Sequence, residues 1–209
     1  MTGLRERKKA DTRRALSDAT LQLALDRGLE NVTREDIAGL AGVSLRTFSN
    51  YFSTKYEALA YRQTERLRRS VALLRERPDH EPLWTSITEA ILGPIQDDFA
   101  AATGDANRPP NRVELAALRT MLANSDLRNT FPRTLFDDFA TAIAERTGTD
   151  SERDTFPRLA AAVVHAVVEA TMDSYVMLDP PVAYPRLLRA AFADVAAGLP
   201  APADRKAEA

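Results

Sequence analysis

The sequence predicts an all-α chain in two parts. Three observations carry that expectation. Apolar residues recur at helical spacing along most of the chain, no stretch alternates with the period of a strand, and glycine and proline mostly fall between the periodic segments or at their starts. The 209 residues are 44% apolar and 28% charged, an ordinary globular composition with enough apolar surface for a core. Cysteine is absent, which excludes disulfides and thiolate metal sites. No run of eighteen or more apolar residues is present, and the start, Leu4-Arg5-Glu6-Arg7-Lys8-Lys9, is charged where a secretory leader needs apolar residues. A cytoplasmic protein with no membrane span is expected.

Charge divides the chain. Met1 to Arg77 carry sixteen Lys/Arg against ten Asp/Glu, and Pro78 to Ala209 carry twelve against twenty, which together give the net −2. A basic amino-terminal part suits contact with phosphates, whereas solvated helix faces alone would not require such segregation.

The first helix is expected from Arg7 to Arg27, with Leu16, Ala19, Leu23 and Leu25 apolar and Gly28 as terminator. Arg5, Arg7, Lys8, Lys9, Arg13 and Arg14 make its start basic, either as an arm for a minor groove or as a solvated terminus. Thr33 to Lys55 then reads as two short helices joined by a tight turn. Thr33 caps the first, with Asp36 completing a shortened capping box, and Ile37, Ala38, Leu40 and Ala41 form its apolar stripe. Gly42 stops it, because a residue without a Cβ takes a left-handed backbone at no steric cost. Val43 plugs the turn, Ser44 caps the second helix, and Leu45, Phe48 and Phe52 recur along it. That is the pattern of a helix-turn-helix whose second helix enters the major groove.

The residues T-x-x-x-I-A-x-x-A-G-V-S-x-x-T-F-x-x-Y-F-x-x-K-x-x-L, from Thr33 to Leu59, resemble the DNA-binding domain of TetR-family (tetracycline-repressor-like) transcriptional regulators. One position departs from the family pattern, Ser49, where an aromatic residue is usual. Arg46 is the candidate base reader, since arginine on guanine is the commonest specific pairing, with Thr47 and Asn50 next. Leu45 would meet a thymine methyl or be buried. Thr33, Ser44, Tyr51 and Lys55 are candidates for holding phosphates, Arg34 is a further DNA-binding candidate, and Phe48 and Phe52 are candidates for the core.

A continuous helix to about Arg75 follows, with Tyr56, Leu59, Ala60, Gln63, Leu67 and Val71 or Leu74 inward. The resemblance makes it the link that moves when ligand binds. Pro78 to Pro82 is read as a boundary, giving a DNA-binding domain over 1–55, a connecting helix over 56–77, a ligand-binding and dimerisation domain over 78–199, and a disordered tail over 200–209. Within the third part, helices are expected over Leu83–Ala102 with a kink or break at Gly93-Pro94, Arg112–Asn124, Arg133–Thr147, Phe156–Leu178 and Pro185–Leu199. Thr103 to Asn111 is a loop, Ser125-Asp126 begins a turn, and Pro132 opens the helix that Gly148 ends.

The stretch Leu159 to Tyr175 is nearly apolar all round, so burial on several sides is expected. With the last helix it would form a four-helix interface between two copies, through helices near 157–178 and 185–199. The resemblance implies a double-stranded DNA operator, a homodimer and a small-molecule effector held in the C-terminal part. Candidates for lining that cavity are Trp84, Ile87, Ile91, Phe99, Met121, Phe136, Phe139 and Tyr175. The residues L-A-N-S-D-L-R, F-P-R-T-L-F-D-D-F-A and E-R-T-G resemble the C-terminal domain of regulators related to those of mycofactocin systems, which implies an acyl-CoA-like effector.

Catalytic and metal motifs are not found. His80 lies in a break, His165 reads as a core residue, and Asp97-Asp98 and Asp137-Asp138 diverge as neighbours on helices. No catalytic residue, metal ligand or cofactor is assigned, and an enzyme is not expected. The expected function is a sequence-specific DNA-binding regulator, a ligand-released repressor on a near-palindromic operator. The alternatives are a regulator or activator without effector and a helical lipid or acyl-CoA-binding module.

Overall fold

The computed structural model describes residues 2–123 and 134–201. Among these, α1 (Thr2–Arg27), a 3-10 turn (Leu29–Asn31), α2 (Arg34–Leu40), α3 (Leu45–Tyr51), α4 (Lys55–Glu76), α5 (Leu83–Thr103), α6 (Arg112–Leu122), α7 (Thr134–Thr147), α8 (Thr155–Met177) and α9 (Tyr184–Ala196) follow in order, with no strand. The fold class is the all-α one that the periodicity predicts.

The chain forms two compact units. The first holds α1 to α3, α4 as far as Arg66, and α6; the second holds α4 from Leu67, α5, and α7 to α9. The division thus falls inside α4, not at Pro78–Pro82, and α6 belongs with the first unit. The reason is packing: Met121 of α6 is buried with Ala24, Leu29, Leu59 and Ala60, and Leu118 lies against the same cluster. An amphipathic stripe dictates that a helix face will be buried, but not which partner buries it.

Three other expectations are corrected. α1 begins at Thr2, so Arg5, the one basic residue ahead of Arg7, is helical and forms no extended arm. Of the kink or break expected at Gly93-Pro94, the break does not occur, and α5 runs through the pair as one helix. There Pro94 is buried in the helix interior, a Cβ on Gly93 would stand 3.4 Å from Leu73 of α4, and Arg69 of α4 meets the Pro94 carbonyl at 3.5 Å and Asp98 at 2.6 Å. Packing and an ion pair across α4 and α5 therefore hold together a helix that proline alone would disrupt. α9 stops at Ala196 because Gly198 (φ 85°) and Leu199 (φ 54°) enter the left-handed region. The expected Ser125-Asp126 turn, the Pro132 start and residues 202–209 of the tail lie outside the described residues.

The second unit buries Ile87, Ile91, Leu92 and Ile95 of α5, Phe139 and Ile143 of α7, Val164 and Tyr175 of α8, and Leu188 and Phe192 of α9. α8 packs on α7 and α9, and α9 on α5. By length and composition alone α8 could cross a membrane, yet it is an element of this packed unit. Only one side of it is covered. His165, expected in the core, is about half exposed, 3.8 Å from Glu169, with its ring edge-on to Phe136 at 4.5 Å.

Beyond α4 the chain is fixed by a polar clamp. The Arg146 guanidinium donates to the carbonyls of Arg77 (3.0 Å), Glu81 (3.0 Å) and Pro78, and Arg75 makes a two-pronged pair with Glu145 at 2.7 and 3.3 Å. Arg77 and Ser86 bond the Glu81 carboxylate and hold its pKa at about 2. The Arg146 bonds tie α7 to the carbonyls of the loop that follows α4. Arg146→Ala is expected to destabilise the protein by about 1–3 kcal/mol in denaturant unfolding, the cost of stranding such acceptors. Arg153→Ala, at a side chain 88% exposed, should change stability little.

Candidate nucleic-acid interface

Local signals position α2 and α3. Thr33 caps α2: its hydroxyl accepts from the Asp36 N–H at 3.1 Å, and its own N–H donates to the Asp36 carboxylate at 3.0 Å. The Thr33 hydroxyl also donates to that carboxylate at 2.6 Å, and Arg27 pairs with it at 2.7 Å. These bonds, led by the Thr33 hydroxyl and followed by its N–H and Arg27, lower the Asp36 pKa from 3.8 to about 2. α2 ends where Gly42 takes φ 68°, and Val43 N–H returns to the Ala38 carbonyl at 2.9 Å. Ser44 then caps α3 by accepting from the Thr47 N–H at 3.1 Å.

α3 is anchored from below. Phe48 and Phe52 are buried with Leu16, Ala19, Val32, Ile37, Ala38 and Ala58, and Val43, Tyr51 and Tyr61 pack against the same cluster. The two rings lie 6.0 Å apart. With Phe48 inward, helical geometry turns Leu45, Arg46, Ser49 and Asn50 outward together, and all four are exposed. Leu45 is 38% exposed, which settles its position in favour of the surface. α3 is about 10 Å long, and an α-helix, about 10–12 Å across with its side chains, fits a major groove about 12 Å wide.

The remaining candidates separate by what they touch. Thr33, Arg34 and Ser44 are exposed at the helix starts. Thr47 is half-buried, with its hydroxyl 2.9 Å from that of Ser44, so it braces the cap. Tyr51 is half-buried, and the Arg13 guanidinium lies 5.7 Å from its ring centre. Lys55 departs from the phosphate-holding expectation. Its ammonium donates to the carbonyls of Leu29 (2.8 Å), Glu30 (3.2 Å) and Val32 (3.1 Å), which engages all three of its N–H donors. It ties α4 to the turn after α1. Ser49 was not assigned from sequence, although it lies on this surface, and Leu40, expected in the apolar stripe of α2, is 47% exposed.

In the second unit, Ile87, Ile91, Phe139 and Tyr175 are buried and Trp84, Phe99 and Phe136 are half-buried. Phe99 and Tyr175 converge on Tyr184, at 6.5 and 5.1 Å between ring centres. Tyr184 was missed by sequence reasoning; the Tyr-Pro at the start of α9 was its one local signal. Phe136 meets His165 instead. Met121 is not part of this unit, and its assignment to the cavity is withdrawn: it fills the core under α1 and α4.

α8 and α9 also flank an open groove of about 350 Å³, lined by Val163, Ala166, Val167, Ala170 and Thr171 of α8 with Ala191, Asp194 and Val195 of α9, and by Leu199. Leu159 (57% exposed) and Met177 (71%) extend the exposed apolar surface of α8 toward its two ends.

Residues 16–60 match the family described as "Bacterial regulatory proteins, tetR family", and residues 81–200 match the "MftR C-terminal domain". The chain is 31% identical over 171 residues to the HTH-type transcriptional regulator TcmR of Streptomyces glaucescens, covering 79% of this chain and 73% of that protein. Its fold is similar to that of Thermus thermophilus FadR, a TetR-family repressor solved with lauroyl-CoA (TM-score 0.53, 18% identity, 91% of this chain and 97% of that one). It is also similar to NalD of Pseudomonas aeruginosa, the secondary repressor of the MexAB-OprM multidrug efflux pump (TM-score 0.51, 19% identity, 89% and 96%).

Two measurements check this site. Because the folded-state pKa of Asp36 lies below its ordinary value, the ionised carboxylate stabilises α2 fully above about pH 4, and that contribution disappears as pH falls through about 2. Carboxyl NMR titration should therefore place the Asp36 midpoint near 2. Lys55→Met should lower the melting temperature even without DNA, whereas a lysine that only held phosphate would leave it unchanged.

Proposed function

The chain belongs to the TetR family of bacterial regulatory proteins, and from that premise we propose that it is a repressor which binds a near-palindromic operator as a dimer and releases it on binding a ligand. It is a DNA-binding transcriptional regulator. The observation that carries the reading is α3: an anchored helix whose outward face presents Leu45, Arg46, Ser49 and Asn50. Arg46 is the base reader in this proposal, and Thr33, Arg34 and Ser44 hold phosphates at the two helix starts. We read the protein as a cytoplasmic regulator and not an enzyme.

The groove between α8 and α9 supports the dimer. Small side chains allow close helix approach, and an apolar surface of this kind is suited to a second copy of itself. Two reading helices on symmetric half-sites stand one DNA turn apart, about 34–36 Å, or a multiple of it. The likeness of residues 81–200 to the MftR C-terminal domain and the aromatic residues Phe99, Tyr175 and Tyr184 favour an effector with an apolar tail, of the acyl-CoA class. For release, the effector must favour a state less suited to DNA, and DNA must then weaken effector binding by the same factor.

Arg46→Ala is expected to cost about 1–3 kcal/mol at one base pair of the half-site, measured by anisotropy on single-substituted duplexes. An equal loss on every duplex would make Arg46 a phosphate contact. Ala166→Glu should shift the protein toward monomer in sedimentation. Lauroyl-CoA, titrated to saturation into the protein–duplex complex, is expected to weaken DNA binding; unchanged affinity would remove it as effector.

A further inference from the structure

The first three turns of α1 do no work in the core. Every described side chain before Thr12 is exposed, and the first buried one is Leu16. Over that stretch and the next turn, Arg5, Arg7, Lys8, Lys9, Arg13 and Arg14 stand against Glu6 and Asp11. Arg13 gives the stretch a direction, because its guanidinium lies on Tyr51 in the last turn of the reading helix. Residues four apart share a helix face, so Lys9 and Arg5 continue the line from Arg13, about 12 Å along the axis. Glu6 falls on the same face and is its one acid.

We propose that Arg5, Lys9 and Arg13 form a phosphate-tracking extension, which carries contact with duplex DNA beyond the base pairs that α3 covers. The inference rests on the DNA-binding reading above. The partner follows from charge and place: a cationic line continuous with the reading helix meets the backbone of the same duplex. These contacts are independent of sequence, so they add affinity and salt dependence without selecting bases. Glu6, on the same face, opposes them.

The test uses the full-length protein and a duplex selected from a random-sequence library, with ten base pairs of arbitrary sequence on each side. Affinity is measured by anisotropy across a potassium chloride series for the wild type, Arg5→Gln/Lys9→Gln and Glu6→Gln. Two lost contacts per protomer, four per dimer, should make the log–log salt slope shallower by about 3.6. Glu6→Gln should bind several-fold tighter, and both variants should keep the wild-type melting temperature. Trimming the flanks should weaken the wild type more than the double variant. An unchanged slope in the double variant, with Arg46→Ala still losing base discrimination, overturns the extension and leaves the DNA-binding reading standing. A wild type that selects no duplex overturns both.

Discussion

Two phenylalanines under a seven-residue helix hold the recognition surface in place. A helix as short as α3 has no independent stability in water, where isolated helices under about 12–15 residues are marginal. Its existence and its rotation about its own axis both come from Phe48 and Phe52, buried against α1 and α2. Burying each ring is worth roughly 1.5–3 kcal/mol, against about 1 kcal/mol for a typical N-cap. Since the anchors occupy one side only, Leu45, Arg46, Ser49 and Asn50 take no part in the core. In the proposed function, the scaffold can stay constant while those positions answer to the DNA.

The second unit follows from a different constraint. Ala and Val are the commonest residues of α8, and its uncovered side presents a shallow apolar groove of small side chains. Contact with α7 and α9 covers one side, and the other keeps Leu159 and Met177 in solvent. Polar residues on that side, His165, Glu169 and Asp173, are spaced between the alanines and are exposed. In the proposed dimer a second copy of the chain would remove the apolar surface from water, and in doing so would pair two reading helices. The same interface would thus supply stability and the symmetry that operator recognition uses.

How far the sequence could be read follows the distance over which each signal acts. Thr33 with Asp36, Gly42, and Ser44 with Thr47 act within three residues or at one, and the structure places each as its spacing implies. Phe48 and Phe52 were legible from helical period. Lys55 was not, because its acceptors lie 23 to 26 residues away and no local pattern announces them. Met121 misled for a related reason: the stripe of α6 marks a buried face but is silent on whether α1 or α5 covers it. His165 failed the other way, since an apolar surround implies a core position only if something covers that surround. Pro94 was read by its local cost, and the packing and ion pair that offset it come from α4.

Methylation interference on the selected duplex tests the central claim most directly, because it asks at once which groove is entered and how many times. Methyl groups at guanine N7, on the major-groove edge, are expected to block binding at two symmetric places about one DNA turn apart or a multiple of it. Interference confined to adenine N3 in the minor groove, or limited to a single cluster, would contradict a paired helix-turn-helix reading the major groove.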